Sequence, residues 1–307
     1  MAFLPGISPR ESLPKCAIHA HQTVVQTQTR QGIKKSTRDT LRVAVTLDDA
    51  PVMHIEQFAS QWHRKLVIDS LTNALTRYRV PVTVFVIGKQ VESAEGIELL
   101  RMWESYGAQI GNHTEGHPDI ETITPEDFRR EILDASRSIR QAIHSGKEPT
   151  RYFRFPSLAE GNTVRSRDTH LLLLDSLGLI NARATITTDD WRFEERYVQA
   201  EDSSDWAARY DIGQEYVEHI LAAYEHWVAL GKELFQRPVN HVLMLHANRI
   251  NRDYLGIILK ELSGRGVQFI TLDDAYTDPL YSLTPTWVMS SGTSFLEFIK
   301  QSRVGRD

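Results

Sequence analysis

Cysteine is nearly absent from this chain, with Cys16 alone among 307 residues. No intrachain disulfide can form, and such usage fits a reducing compartment. Long apolar runs are missing as well. None approaches the roughly 18–20 residues of a membrane-spanning helix, and Met1 to Arg30 lack the basic start and apolar centre of a secretory leader. The sequence therefore reads as cytoplasmic, with no membrane partner. There is no excess of basic residues either: 35 Lys and Arg against 40 Asp and Glu give a formal charge of −5. That balance excludes the net basic surface on which nucleic-acid binding is usually built. Internal repeats and low-complexity stretches are lacking too. What remains is an ordinary globular composition, 41% hydrophobic and 24% charged. A chain of this length buries about three quarters of its unfolded surface, enough to fold without staples.

Residues 1–40 mix proline, serine, threonine, glutamine and charge without a period, and are read as an irregular arm. From Leu41 the pattern changes. Val43, Val45 and Leu47 predict a short strand ended by Asp48, Asp49 and Pro51. Trp62, Leu66, Leu71, Leu75 and Tyr78 predict a helix over 60–79, and residues 82–87 are apolar enough for a strand buried on both faces. A helix over 95–106 and a strand over 108–111 follow. Thr124-Pro125-Glu126-Asp127 opens the next helix, with a hydroxyl N-cap, proline at the first position and early acids. That helix should reach about 144. Then come a strand over 151–156, a helix over 165–177 and a strand over 179–187 that runs into Asp189-Asp190-Trp191. After residue 241, a strand ends at His246, a helix spans 252–263 and a last strand spans 267–271.

Such alternation implies parallel β/α units. Between 192 and 240 it breaks. Tyr216, Ile220, Ala223, Trp227, Leu230 and Leu234 fall at helical spacing and predict one long amphipathic helix. We read it as an insertion packed on the outer wall, the alternative being a lid or a homo-oligomer contact. The tail over 276–307 carries Trp287, Phe295, Leu296 and Phe298, and should pack on the barrel.

Chemistry is concentrated in Gly111-Asn112-His113-Thr114-Glu115-Gly116-His117-Pro118. Two imidazoles four positions apart reach one side of a helical turn. Neutral imidazole is the commonest ligand for zinc-like metals, and a catalytic site usually takes three protein ligands plus water. The third ligand is owed from Asp48 or Asp49, and the other aspartate can then serve as general base. In a barrel of parallel units the chemistry gathers at the C-terminal strand ends. Asp48-Asp49, His113/His117, Arg154, Asp190-Trp191 and His246 all sit at or just past such ends. Packing alone does not account for five polar clusters in equivalent places. His246 is the natural acid for a leaving group, Asp190 could hold and charge it, and Arg154 could fix the base. Trp191 offers a flat face for a sugar ring. The plainer alternatives are a salt bridge at Arg154, a core role for Trp191 and a buried, satisfied His246.

The ordered motifs Thr46-Leu47-Asp48-Asp49, His113-Thr114-Glu115-Gly116-His117, Arg154-Phe155-Pro156, Asp190-Trp191 and Leu243-Met244-Leu245-His246 resemble those of the polysaccharide deacetylase family, the chitooligosaccharide-deacetylase-like carbohydrate esterases. The resemblance runs from about residue 41 to 275. It implies a distorted (β/α) barrel, with the helical insertion before the last strands, and metal-dependent removal of acetyl groups from sugars. By that likeness Asp48 is the base, and Asp49, His113 and His117 hold one divalent ion. Zinc is the default, and cobalt or nickel fits the same ligands. Arg154 would tune the base, and Asp190 would support the acid His246. Trp191 and Leu245 would line the acetyl pocket, Phe155 and Pro156 would lie beside substrate, and the Ser157 amide would help stabilise the oxyanion. Three departures touch the rim: Ala50-Pro51 where the family commonly has glycine, Ser157 where an aromatic is frequent, and Thr187 where an acid is frequent. They argue against a large crystalline polymer such as chitin. A related amidohydrolase acting on a small non-sugar amide is the second reading. The third, an inactive carbohydrate-binding barrel, needs a broken metal triad or a missing acid, and the sequence has neither.

Overall fold

The computed structural model describes residues 40–144, 146–289 and 292–304, all within the second of the chain's two units, Ser36–Asp307. The arm expected over 1–40 lies, but for Thr40, outside the described residues.

The first half of the barrel is built from β1 (Arg42–Ala50), α1 (Gln61–Tyr78), β2 (Val82–Val86), α2 (Ala94–Tyr106), β3 (Gln109–Asn112), α3 (Pro125–Ala142), β4 (Tyr152–Phe153) and α4 (Val164–Ser176). The second half comprises β5 (Ile180–Asn181), α5 (Asp190–Asp202), α6 (Trp206–Phe235), β6 (Asn240–His246), α7 (Arg249–Gly264), β7 (Gln268–Ile270), α8 (Leu272–Ala275) and α9 (Phe295–Val304). Every pairing among the named strands is parallel, in the order β5-β4-β3-β2-β1-β6, and β7 lies along the start of β1. The sheet curls. Beyond β5 the chain returns to β6, where Ile186 bridges Leu243 and the Ile186 N–H donates to the Val242 carbonyl at 3.0 Å. The result is the expected distorted barrel, a parallel half-barrel whose far ends meet through one residue pair.

β1 is central and buried on both faces, as its uninterrupted apolar start requires. Around it Leu71, Leu75, Val84, Trp103 and Leu259 form one continuous core with α1, α2 and α7. Thr124 caps α3 as its sequence predicts, its hydroxyl accepting from the Asp127 N–H at 3.1 Å. Phe295 and Phe298 of α9 pack with Val239, Val242 and Tyr281.

Three elements differ from expectation. The strand over 151–156 shortens to β4, because Pro156 has no N–H to offer and Ser157 and Leu158 turn into left-handed backbone. The strand over 179–187 shortens to β5, because Thr185 and Ile186 direct their N–H groups to β6. The insertion holds two helices rather than one. They break at Ser203-Ser204-Asp205, where Ser204 is left-handed and the Asp205 side chain caps α6 by accepting from the Ala208 N–H. Among the described residues no helix is long and apolar enough to cross a membrane.

Candidate functional site

At the end of β1 the regular pleat fails. Its register against β2 shifts between Leu47 and Ala50, and Asp49 takes a left-handed φ of 56°. A regular strand would send neighbouring side chains to opposite faces. Here both aspartates line one cleft, and each meets a different partner.

Asp48 is buried against Arg154, whose Nη1 donates to Oδ1 at 3.1 Å and Oδ2 at 3.3 Å. Arg154 is fully buried. Its Nη2 donates to the Thr46 hydroxyl at 3.2 Å, and its guanidinium lies 4.4 Å over the Phe85 ring. The same residue acts through its backbone as well, its carbonyl accepting from His113 Nδ1 at 2.8 Å. That bond fixes the tautomer and leaves Nε2 as the free lone pair.

Asp49 faces the two imidazoles. Its Oδ1 lies 3.4 Å from His113 Nε2 and 3.6 Å from His117 Nε2, and the three ligand atoms all fall within 4.8 Å of one another. Their convergence does not come from a helix, as the four-residue spacing suggested. It comes from a turn after β3 in which Thr114 and His117 are left-handed, the Asn112 side chain accepts the Thr114 N–H at 2.9 Å and the Thr114 hydroxyl accepts the His117 N–H at 3.0 Å.

These three groups suit a cation. Asp49 Oδ1 is buried and, among the described residues, has no hydrogen-bond partner, which is costly unless something positive sits beside it. Burial alone would raise the Asp49 carboxyl, but the imidazoles of His113, His246 and His117 outweigh it and hold it well below the ordinary carboxylate range. Burial, with the neighbouring His113, pushes His117 below the usual imidazole value, toward the neutral form that ligates.

Across the cleft, His246 ends β6. Its Nδ1 donates to Asp190 Oδ1 at 2.7 Å, and its backbone N–H donates to Oδ2 at 2.8 Å. Burial would lower this imidazole; the carboxylate of Asp190, helped by Asp49 and Asp48, overrides it and pushes the pKa up to about 10. Asp190 and Trp191 do not end a strand, as their position after 179–187 suggested. They open α5, after a left-handed Asp189, so that Asp190 is fully buried while Trp191 remains 45% exposed on the cleft wall.

The cleft has a volume of about 910 Å³. Ser157 lines it together with Leu158, Met244 and Thr187. Three expected lining residues do not. Leu245 is core, because alternation along β6 turns it away from the face shared by Met244 and His246. Phe155 stacks against Phe128 and is buried there, and Pro156 is buried at the turn behind Ser157. Met244 was within reach of the sequence, since it stands two residues before His246 on a strand. Asn248 and Asn251, which both donate to Asp190 Oδ2, were not singled out. Their only signal is the helix start that follows the histidine.

A family model described as polysaccharide deacetylase matches residues 35–172, a span containing Asp48, Asp49, His113, His117 and Arg154 but neither Asp190 nor His246. A chitooligosaccharide deacetylase from Bradyrhizobium sp. (strain ANU 289) is 36% identical over 103 residues, which is 34% of this chain and 41% of that protein. The chain thus spans about two fifths of the length of that relative. Among solved structures, a family 4 acetyl xylan esterase from Clostridium thermocellum in complex with a cobalt ion superposes with a TM-score of 0.53 at 22% identity, covering 81% of this chain and 98% of that one. A CE4 family pseudoenzyme from Bacillus anthracis gives 0.52 at 17% identity, over 75% of this chain and 64% of that one. At these identities the likeness is one of fold.

Proposed function

We propose that this chain, which belongs to the polysaccharide deacetylase family, is a metal-dependent hydrolase that removes acetyl groups from an N-acetylated or O-acetylated carbohydrate. One observation carries the reading: Asp49, His113 and His117 converge within 4.8 Å directly beside a buried Asp48–Arg154 pair and opposite a charged His246–Asp190 pair. A metal site, a base and an acid thus surround one cleft. Residues 41–275 would form the catalytic barrel, 192–240 its helical insertion and 276–307 a tail packed on it.

A divalent ion held by Asp49, His113 and His117, most simply zinc with cobalt or nickel also suited, would polarise the acetyl carbonyl and make bound water more acidic. The remaining work belongs to side chains. Asp48 would accept the proton of the attacking water, and Arg154 holds its carboxylate in place through two hydrogen bonds. The Ser157 amide, at the left-handed turn, would donate to the developing oxyanion. His246 would hand its Nε2 proton to the departing amine or alcohol, Asp190 stabilising the charge meanwhile. Trp191 offers its exposed face to the sugar ring, and Met244 offers an apolar wall to the acetyl methyl.

A cleft of about 910 Å³ lies at the upper end of the range of small-molecule pockets. That size also admits a second reading, in which the same groups open a C–N bond of a small non-sugar amide. The discriminating experiment is acetate release from acetylated mono- and oligosaccharides, with and without a chelator, run beside cyclic amides and ureides. We expect chelator-sensitive acetate release, and its loss in Asp48→Asn with metal stoichiometry kept. Turnover of only the cyclic compounds would favour the second reading. Retained turnover in Asp48→Asn would remove Asp48 as the base.

A further inference from the structure

We infer that Asn251 and Tyr216 are positioning residues for the acid His246, so that α6 of the insertion forms part of the catalytic apparatus. This rests on reading His246 as the acid. The observation is an unbroken hydrogen-bond chain through the interior. The Tyr216 hydroxyl donates to Asn251 Oδ1 at 2.5 Å, and Asn251 Nδ2 donates to Asp190 Oδ2 at 2.9 Å and to the His246 carbonyl at 3.0 Å. Asp190 Oδ1 then accepts from His246 Nδ1. Tyr216, Asn251 and Asp190 are all fully buried, so water does not compete for these bonds.

Each link has one workable polarity. An asparagine amide offers two donors on nitrogen and only acceptors on oxygen. With its nitrogen toward Asp190 the amide meets a carboxylate. Flipped, it would set oxygen against oxygen. Asp190 Oδ2 and the His246 carbonyl, which can only accept, fix the amide, and the Tyr216 hydroxyl reinforces that orientation by giving its proton to the amide oxygen. Burial, with the charges of Asp190 and Glu194 nearby, holds the Tyr216 phenol well above its ordinary value, so that proton stays in place. Asp190 Oδ2 is then filled by donors from His246 N, Asn248 Nδ2 and Asn251 Nδ2. Its carboxylate cannot rotate. Oδ1 is left facing the imidazole, and Nε2 is the nitrogen free to move a proton.

The packing that brings Tyr216 this close is specific. One turn earlier on α6 stands Gly213, where a Cβ would lie 1.8 Å from the Tyr254 ring of α7. Tyr254 is in turn three residues from Asn251, so the close approach and the hydrogen bond occupy the same stretch of the α6–α7 contact. Glu194, one turn after Asp190 on α5, accepts the N–H groups of Arg249 and Ile250 at 3.0 and 2.8 Å and pins the start of α7.

The test compares the full chain with Asn251→Ala and Tyr216→Phe, using Tyr224→Phe as the control. Tyr224 lies on the same helix, and its buried hydroxyl has no partner among the described residues. We expect kcat for acetate release to fall about 10–100-fold in Asn251→Ala, the usual scale for residues behind a catalytic group. A smaller fall is expected in Tyr216→Phe, with KM within about twofold and zinc content unchanged in both; Tyr224→Phe should match the parent. The low-field proton resonance of the His246–Asp190 bond, assigned by its loss in His246→Gln, should shift in both test variants and not in the control. Unchanged kcat in both test variants would overturn the inference. If the parent releases no acetate from any substrate, the functional reading fails instead. The resonance then decides on its own, an unmoved signal in both variants overturning the positioning role.

Discussion

Replacing Arg154 by methionine should destabilise the chain far more than replacing the Asp48–Arg154 pair together. The guanidinium is fully buried and the Asp48 carboxylate nearly so, so removing the cation strands an anion without water. Breaking such a pair costs about 3–5 kcal/mol, whereas exchanging both partners for neutral groups of similar volume is frequently near neutral. Loss of the stacking over Phe85 adds roughly 1 kcal/mol. At about 2–4 °C per kcal/mol for a large domain, Arg154→Met should melt roughly 8–24 °C below the parent. Asp48→Asn combined with Arg154→Met should recover most of that difference. The assay is urea unfolding and calorimetry of the chelator-treated parent, both single variants and the double variant. Metal affinity gives a second readout. The bond to His113 comes from the Arg154 backbone carbonyl, so Arg154→Met should leave zinc affinity within about tenfold of the parent, the low end of a supporting-residue effect. A single-variant loss below about 1 kcal/mol, or strictly additive singles, would refute the reasoning, since coupling between contacting groups is what the buried geometry demands.

Two further predictions concern residues away from that pair. Burial pushes His241 down to about 4 from an ordinary 6.5. A depressed folded-state value means that its contribution is fully present above about pH 6.5 and is lost as pH falls toward 4. At about 1.4 kcal/mol per pKa unit, that amounts to roughly 3 kcal/mol. Urea midpoints at pH 7 and 4.5 should therefore converge in His241→Gln, and an unaltered slope would refute the assignment. On β6, Leu245→Ala should cost about 2–5 kcal/mol as a core truncation while leaving the KM of a stable preparation alone. Met244→Ala should do the reverse, changing KM or the preferred acyl size at little cost in stability, and equal effects at both positions would contradict the alternation.

Much of the site was legible because parallel β/α units collect polar residues at strand ends, and the ends of β1, β3 and β6 obey that rule. The helix start at Thr124 was legible because its cap is local chemistry. Other features depend on contacts that a linear pattern does not carry. β5 is short because of what the backbone after it bonds to across the barrel, not because of its composition. The start of α5 was missed because Asp189 caps it by backbone conformation alone, without a side-chain bond. Helical spacing brought His113 and His117 together for the wrong reason, since a polar turn achieves the same convergence. Leu245 was assigned by motif where strand alternation favours Met244. The Tyr216–Asn251 link joins residues 35 positions apart, and no spacing rule could have exposed it.

The backbone around the candidate metal ligands limits how a preference for one ion over another could be tuned. Asp49 and His117 sit at φ 56° and 53°, a region that aspartate and histidine tolerate and that most side chains enter at a cost on the order of 1 kcal/mol. His113 carries no such constraint. An attempt to install a thiolate, and so draw the centre toward softer ions, would meet a conformational penalty at 49 or 117 before any coordination bond was made. Position 113 is where the exchange could be made without it, although the replacement would forgo the carbonyl bond that orients the present imidazole.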